Sequence, residues 1–193
     1  MTETVLDIFR EAGALMEGHF VLSSGRHSPV YLQKAFVFMQ PDLTARACRL
    51  LADVIEGSGL GPFDAIVSPA IGGLIPGYET ARQLGLPAMW LEREGPDFAL
   101  RRGFTIAPGA RILVIEDIVT TGLSTRETIA CITAHGGKAI AAACLIDRSD
   151  GMANVGVPLL SAAALPVPDY DSSALPPELA AIPAVKPGSR PVT

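Results

Sequence analysis

The sequence predicts an α/β fold, in which a mainly parallel twisted sheet carries helices on both faces. Short apolar runs rich in β-branched residues recur along the chain, and several lead through small-residue turns into helical patterns. Such runs are typical of strands buried on both faces of a parallel sheet. The composition agrees, because a chain of 193 residues with 49% hydrophobic and 18% charged residues can bury a sizeable core. We therefore expect a single domain over residues 1–193.

The N-terminal part of the chain predicts two helices and a small separate cap. Apolar residues at helical spacing indicate a first helix over residues 4–12 and a long amphipathic helix over residues 41–56. Between them, short β-prone pieces are separated by S-S-G-R-H-S-P. This pattern predicts a hairpin-like hood over residues 14–36, outside the main sheet.

The rest of the chain predicts the main sheet and an irregular tail. Apolar runs indicate strands at residues 65–67, 87–91, 112–115, 139–146 and 159–164, the last of them at an edge. Ligands of open parallel sheets gather at the carboxyl ends of the strands, so the turns after these strands are expected to share one crevice. From about residue 166 to residue 193 the chain is rich in Pro and Ala, which predicts a tail without regular structure.

The most informative stretch is R-I-L-V-I-E-D-I-V-T-T-G-L-S-T-R, residues 111–126. Its apolar strand is followed by two adjacent carboxylates, Glu116 and Asp117, and then by a small, hydroxyl-rich turn that leads into a helix. A helix N-terminus offers free backbone N–H groups and a positive dipole end, which suit a phosphate. The simpler alternative is an ordinary strand, turn and helix with Thr or Ser as the N-cap.

The two carboxylates need partners other than a phosphate, which they would repel. The vicinal hydroxyls of a ribose are suitable partners, and so is a divalent cation that bridges ribose and diphosphate. The stretch is therefore predicted to hold a ribose that carries a 5′-phosphate. It is neither a Walker A loop nor a dinucleotide-binding G-x-G-x-x-G motif.

Two segments resemble a known family. Residues 111–126 resemble the phosphoribosyl-diphosphate motif of type I phosphoribosyltransferases, with an apolar strand, two acids, two apolar residues and T-T-G-x-S. Residues 18–29 resemble the hood of orotate phosphoribosyltransferases, roughly G-x-F-x-L-x-S-G-x-x-S-P, although many members carry a lysine where this chain has Ser23. The resemblance implies transfer of ribose 5-phosphate from phosphoribosyl diphosphate to orotate, with Mg²⁺, in pyrimidine synthesis.

The resemblance also implies roles for two turns. Glu116 and Asp117 are expected to hold the ribose hydroxyls and to act in catalysis. Phosphoribosyl diphosphate is expected to contact the whole run Glu116, Asp117, Ile118, Val119, Thr120, Thr121, Gly122, Leu123 and Ser124. The departing diphosphate is expected in the turn formed by Pro69, Ala70, Ile71, Gly72 and Gly73.

Orotate is expected to contact Thr120, Arg148 and Tyr31. Arg148 follows the strand residue Asp147, as the base-contacting arginine does in the orotate family, and a guanidinium suits the carboxylate of a planar acid. Two alternatives stay open at this point. Asp147 and Arg148 can form a structural ion pair instead, and Tyr31 can be a half-buried strand aromatic.

Related enzymes carry a mobile loop with lysines and a histidine that closes over the diphosphate. Residues 91–110 correspond to it and contain neither Lys nor His. Arg93, Arg101 and Arg102 are the candidates to neutralise the leaving group, and we assign Arg93 to the catalytic set. Arginine can stabilise charge but cannot serve as a general acid near neutral pH. The alternative for this stretch is an exposed β-hairpin.

Charge and cysteine content limit location and partners. A formal net charge of −5 argues against general binding of nucleic acid or membrane surfaces. Cys48, Cys131 and Cys144 show neither metal-ligand spacing nor a disulfide framework, and no signal peptide or membrane-spanning run is recognised, so we expect a cytoplasmic protein. By resemblance, we expect a homodimer and a Mg²⁺ ion without direct protein ligands.

Two other functions remain open. One is a phosphoribosyltransferase for a purine base, against which the hood pattern and Arg148 argue. The other is a non-catalytic regulator that senses phosphoribosyl diphosphate, which the acidic chain without an added nucleic-acid module disfavours.

Overall fold

The computed structural model describes residues 3–22 and 24–187, and its centre is a six-stranded sheet. The strands are β3 (Ala65–Pro69), β4 (Ala88–Glu94), β5 (Asp97–Leu100), β6 (Arg111–Val119), β7 (Lys138–Asp147) and β8 (Leu159–Ala164). Their order is β5-β4-β3-β6-β7-β8, and every neighbouring pair is parallel except the hairpin of β4 and β5. The predicted α/β fold with a mainly parallel sheet is confirmed.

Helices cover both faces of this sheet. The helices in the described part of the chain are α1 (Val5–Glu11), α2 (Ala35–Phe38), α3 (Pro41–Gly57), α4 (Leu74–Leu84), α5 (Leu123–Ala134) and α6 (Pro177–Ala180). The alternation along β6 divides the core in two, because Leu113 and Ile115 pack with residues of α1 and α3 while Val114 packs with Ile132 of α5. Within the described part of the chain, no helix combines the length and the apolar character needed to cross a membrane.

A separate two-stranded antiparallel sheet forms the hood, from β1 (Leu15–Val21) and β2 (His27–Leu32). The C-terminal tail crosses it, since Val185 pairs with Phe20 and Tyr170 pairs with His27. The buried His19 joins both, with Nδ1 2.8 Å from the carbonyl oxygen of Ile182 and Nε2 2.6 Å from Nδ1 of His27. Ser23, the position at which the family often has lysine, lies outside the described residues, as do residues 188–193 of the tail.

The strand β6 is longer than the sequence predicts, and its extension affects the site. β6 does not end at Ile115 but continues to Val119, because its pairing with β7 continues through Ile118 and Ile146. Glu116 and Asp117 therefore lie on the strand and not in the turn after it. Their backbone is fixed by the sheet, which gives the two carboxylates a rigid base.

We expect Gly77→Ala to destabilise the fold next to the site. A Cβ at Gly77, in α4, would lie 2.8 Å from Cβ of Ser68 and would collide with its Oγ. Overpacking of this kind costs about 1–3 kcal/mol in the free energy of unfolding, which urea denaturation measures. The control is Gly57→Ala in α3, where a Cβ would meet nothing within 4 Å, and this variant is expected to be neutral or more stable by up to about 1 kcal/mol. Equal stability of the two variants would contradict the packing described for α4.

Candidate active site

A cavity of about 270 Å³ lies at the carboxyl ends of β3 and β6. It brings together the ends of these strands, the start of α5, the β4–β5 hairpin and a lysine just before α2. Its lining residues are Lys34, Pro69, Ala70, Gly72, Arg93, Phe98, Glu116, Asp117, Ile118 and Ser124. Residues of the two predicted turns, the acid pair and one of the three candidate arginines thus meet in one place.

The acid pair is the buried floor of this cavity. Glu116 and Asp117 are only 7% and 3% exposed. Oδ1 of Asp117 accepts a hydrogen bond from the backbone N–H of Ile118, and Oδ2 forms an ion pair with the Lys34 ammonium. Oε2 of Glu116 accepts a hydrogen bond of 3.3 Å from the backbone N–H of Asp117.

The two carboxyl groups differ in charge. Burial, with a smaller contribution from the neighbouring Asp117, raises the pKa of Glu116 to about 8. Glu116 is therefore mainly protonated at neutral pH, while the charge of Asp117 is offset by Lys34. The floor of the cavity is close to neutral, which explains how two acids can lie beside a turn suited to a phosphate.

The turn between β6 and α5 leaves its backbone N–H groups free. Among the described residues, none accepts a hydrogen bond from the N–H of Thr120, Thr121 or Gly122. Gly122 has a φ of +73°, and a Cβ there would lie 2.7 Å from Cγ1 of Val155, so only glycine fits. The N–H groups, the hydroxyl of Ser124 and the helix dipole together suit a phosphate. Val119, by contrast, is buried in the sheet.

The turn after β3 offers fewer donors than its sequence suggests. The N–H of Ala70 donates to the carbonyl of Leu91 at 2.8 Å, and that of Gly73 donates to the carbonyl of Pro69 at 3.0 Å. In the described part of the chain, the N–H groups of Ile71 and Gly72 have no such acceptor. Gly72 lines the cavity and Ile71 is its neighbour in the turn, so these two N–H groups are the candidates to bind a ligand there.

The three candidate arginines have different surroundings. Arg93 lines the cavity, stacks its guanidinium 3.9 Å from the centre of the Phe98 ring and pairs with Glu127 of α5. Arg101 and Arg102 are not among the lining residues, and they pair with Glu94 and Glu92 on the β4–β5 hairpin. The exposed hairpin that the sequence left as an alternative is the structure of this segment.

The three residues expected to contact orotate, Thr120, Arg148 and Tyr31, are not among the lining residues of this cavity. Arg148 follows β7, next to β6, and its Nε is buried without a hydrogen-bond partner in residues 3–22 and 24–187. The alternative Asp147–Arg148 ion pair is not formed, because the Asp147 carboxylate accepts the N–H groups of Ser149 and Gly151. Burial lowers the pKa of Arg148, and the charge of Asp169 partly opposes this shift, so the guanidinium is a partly desolvated cation.

Tyr31 lies in β2 of the hood and is half-buried. Its ring contacts the ring of Phe20, with the two centres 5.7 Å apart. This position fits the alternative of a strand aromatic, and stacking on a base stays a prediction.

Lys34 and Phe98 are the cavity residues that sequence reasoning missed, and Lys34 is the charged one. It follows the strand β2 and is the N-cap of α2, far along the chain from the acids. The sequence contains only two other lysines, Lys138 and Lys186. A single lysine shortly after β2, in a chain whose loop over residues 91–110 lacks lysine, was the sequence feature that could have identified Lys34.

The fold is that of a type I phosphoribosyltransferase, and the family model described as "Phosphoribosyl transferase domain" matches residues 38–156. "Orotate phosphoribosyltransferase 2" of Mesorhizobium japonicum is 62% identical over 189 residues, 98% of each chain. The orotate phosphoribosyltransferase of Brucella canis is 60% identical over 98% of each chain. The crystal structure of orotate phosphoribosyltransferase from Aeropyrum pernix has a TM-score of 0.73 at 29% identity, and the match covers 84% of this chain and 94% of that one. The chain belongs to the orotate phosphoribosyltransferase family.

We expect the stability of the protein to depend on pH through Glu116. The pKa of this group is raised to about 8 in the folded state from an ordinary value of 4.5. Between these values the folded protein holds a proton that the unfolded chain has released, so the free energy of unfolding falls as pH rises. Glu116→Gln cannot titrate there, and its stability relative to the unmodified protein should increase between about pH 5 and pH 8. Urea denaturation of both proteins across this range measures the difference, and a difference independent of pH would contradict the raised pKa.

Proposed function

We propose that this protein transfers ribose 5-phosphate from phosphoribosyl diphosphate to orotate, giving orotidine 5′-monophosphate and diphosphate in pyrimidine synthesis. The observation that carries the proposal is the buried acid pair placed between two turns with free backbone N–H groups. The near full-length similarity to orotate phosphoribosyltransferases supports orotate as the base.

Each part of the cavity suits one part of phosphoribosyl diphosphate. The turn from Thr120 to Ser124 would hold the 5′-phosphate through its N–H and hydroxyl groups. Asp117 and Glu116 would accept hydrogen bonds from the ribose hydroxyls. The N–H groups of Ile71 and Gly72, on the neighbouring strand end, would receive the diphosphate.

The reaction requires little covalent chemistry from the protein itself. The bond between C1 of the ribose and the diphosphate oxygen breaks, and its electron pair leaves with the diphosphate. A ring nitrogen of orotate donates an electron pair to C1, and its proton is released to water. The protein contributes position and charge stabilisation around an oxocarbenium-like ribose. Arg93 is at the cavity and can offset the charge of the departing group.

The acid pair also fits a Mg²⁺ ion that is carried by the substrate. The described residues contain no group of three or more His, Cys, Asp or Glu side chains that could hold a metal. Mg²⁺ commonly keeps several waters and binds through one or two carboxylates together with substrate phosphates. Oδ2 of Asp117 is buried, and its partner among the described residues is the Lys34 ammonium. When bound, Mg²⁺ would offset the charge of the diphosphate, and Glu116 and Asp117 would hold it through the ribose hydroxyls.

Arg148 is the residue that would select orotate. Its buried Nε lacks a partner among the described residues, and Arg148 directly follows β7, the strand beside β6. The orotate carboxylate would supply the missing acceptor and a compensating charge. Thr120, at the end of β6, would contact the same base, and Tyr31 is a further candidate.

A homodimer is supported by an apolar surface next to the cavity. Met39, Ile71 and Tyr78 are 71%, 87% and 62% exposed. They surround two shallow pockets of about 260 and 320 Å³ that share Phe38 and Ile75. Continuous apolar surface of this kind is typical of an interface between subunits. A second copy of the chain is the proposed occupant.

The three cysteines support a cytoplasmic location. Cys48, Cys131 and Cys144 are buried and form no disulfide. Unpaired thiols are usual in reducing compartments. The net charge of −5 supports the proposal that neither nucleic acid nor a membrane surface is a partner.

The function is tested by the loss of orotate absorbance when the protein, Mg²⁺ and phosphoribosyl diphosphate are mixed. Turnover of orotate, and not of adenine, hypoxanthine or uracil, is the expected result. Turnover of a purine alone would favour the purine enzyme, and binding of phosphoribosyl diphosphate without turnover of any base would favour a regulator.

We expect Arg148→Ala to raise the KM for orotate by about 10- to 100-fold, the effect of losing a charge-assisted contact. The KM for phosphoribosyl diphosphate should change far less, because Arg148 lies outside the cavity that suits it. The control is Arg49→Ala, which removes an exposed arginine paired with Asp53 on α3. Equal increases in both KM values for Arg148→Ala would refute the assignment.

We expect sedimentation velocity to show a particle of twice the mass of one chain. Met39→Glu places a charge on the apolar surface and should shift the protein towards the monomer. Met152→Glu is the control, since Met152 is also exposed, at 82%, but lies between β7 and β8. A monomeric unmodified protein, or equal effects of both substitutions, would refute this interface.

A further inference from the structure

Lys34 lies between the side of the cavity proposed for the ribose and the side proposed for the diphosphate. Its ammonium pairs with Oδ2 of Asp117 on the ribose side. It also reaches the turn after β3, because a Cβ built at Gly72 would lie 3.0 Å from Nζ of Lys34. The absence of a side chain at Gly72 is what leaves room for the ammonium here.

The three candidate arginines are already engaged. Arg101 and Arg102 pair with glutamates of their own hairpin, and Arg93 is held by Glu127 and the Phe98 ring. Lys34 differs because its partner is Asp117, the acid that would accept hydrogen bonds from the ribose. Its side chain is 38% exposed, so the ammonium has access to the open part of the cavity.

Substrate binding would change the partners of this ammonium. A ribose hydroxyl that donates to Asp117 replaces part of the interaction that holds Lys34. The flexible four-carbon side chain of lysine then allows the ammonium to turn towards the neighbouring diphosphate turn, whose free N–H groups belong to Ile71 and Gly72. A compact cation beside two N–H donors matches a diphosphate oxygen.

We propose that Lys34 contacts the departing diphosphate and stabilises the negative charge that develops on it as the bond to C1 breaks. This inference rests on the proposed function. The electron pair of the broken bond goes to the diphosphate oxygen, and Lys34 transfers no proton. Before the substrate binds, the same ammonium offsets the charge of Asp117.

The test compares Lys34→Met, Lys34→Arg and the control Lys138→Met. Lys138 is exposed at the first residue of β7, at the opposite end of the strands from the cavity. Lys34→Met should lower kcat by about 100-fold, as the loss of one stabilising group does at a developing anion. Its dissociation constant for diphosphate alone should rise at least about 10-fold, the effect of one lost charge-assisted contact. Lys34→Arg should recover part of both losses, and Lys138→Met should match the unmodified protein.

Binding of orotidine 5′-monophosphate separates a direct contact from a structural role. This product has the ribose and the 5′-phosphate but no diphosphate, so its affinity for Lys34→Met should change by less than about threefold. Equal losses of affinity for this product and for diphosphate would mean that Lys34 only holds Asp117, and would overturn the inference. Unchanged kcat and diphosphate affinity would also overturn it.

The binding experiments remain decisive even if the proposed function fails. If the unmodified protein does not convert orotate, the proposed function is wrong, whereas the diphosphate affinities of the unmodified and Lys34→Met proteins still test the contact. Thermal unfolding of each variant, expected within a few degrees of the unmodified protein, shows that the fold is retained.

Discussion

The site depends on how two buried carboxyl groups are neutralised beside a turn that suits a phosphate. Two ionised acids at this depth would repel the ligand and would be costly to bury. Two features reduce this negative charge: burial raises the pKa of Glu116 to about 8, and Lys34 pairs with Asp117. The cavity can therefore bind an anion while keeping two hydrogen-bond acceptors for hydroxyl groups.

The fold brings the necessary parts together through the sheet order. β3 and β6 are neighbours and parallel, so the turns that follow them open on the same edge. Extension of β6 to Val119 fixes the acids on a strand, and Gly122 allows α5 to begin directly above them. Lys34, between the hood and α2, connects the N-terminal segment to the acids.

The sequence was informative about features that depend on residues close together in the chain. The strands, the acid pair and the turn from Thr120 to Ser124 are contiguous patterns, and backbone propensities determine them. The sequence did not indicate which side chains, distant from each other along the chain, would become partners. Lys34 meets Asp117 only because the segment after β2 folds against the carboxyl end of β6, and Asp147 binds the following loop instead of Arg148. The end of β6 was misplaced because pairing with β7 overrode the polar character of Glu116 and Asp117.

The central claim is that the acid pair and the hydroxyl-lined turn hold a ribose 5-phosphate. A crystal structure of the protein with Mg²⁺ and phosphoribosyl diphosphate, or an unreactive analogue of it, tests this claim most directly. The account predicts the 5′-phosphate on the N–H groups of the turn from Thr120 to Ser124 and the ribose hydroxyls on Asp117 and Glu116. A ligand bound elsewhere, with the Asp117–Lys34 pair unchanged and the turn empty, would contradict it.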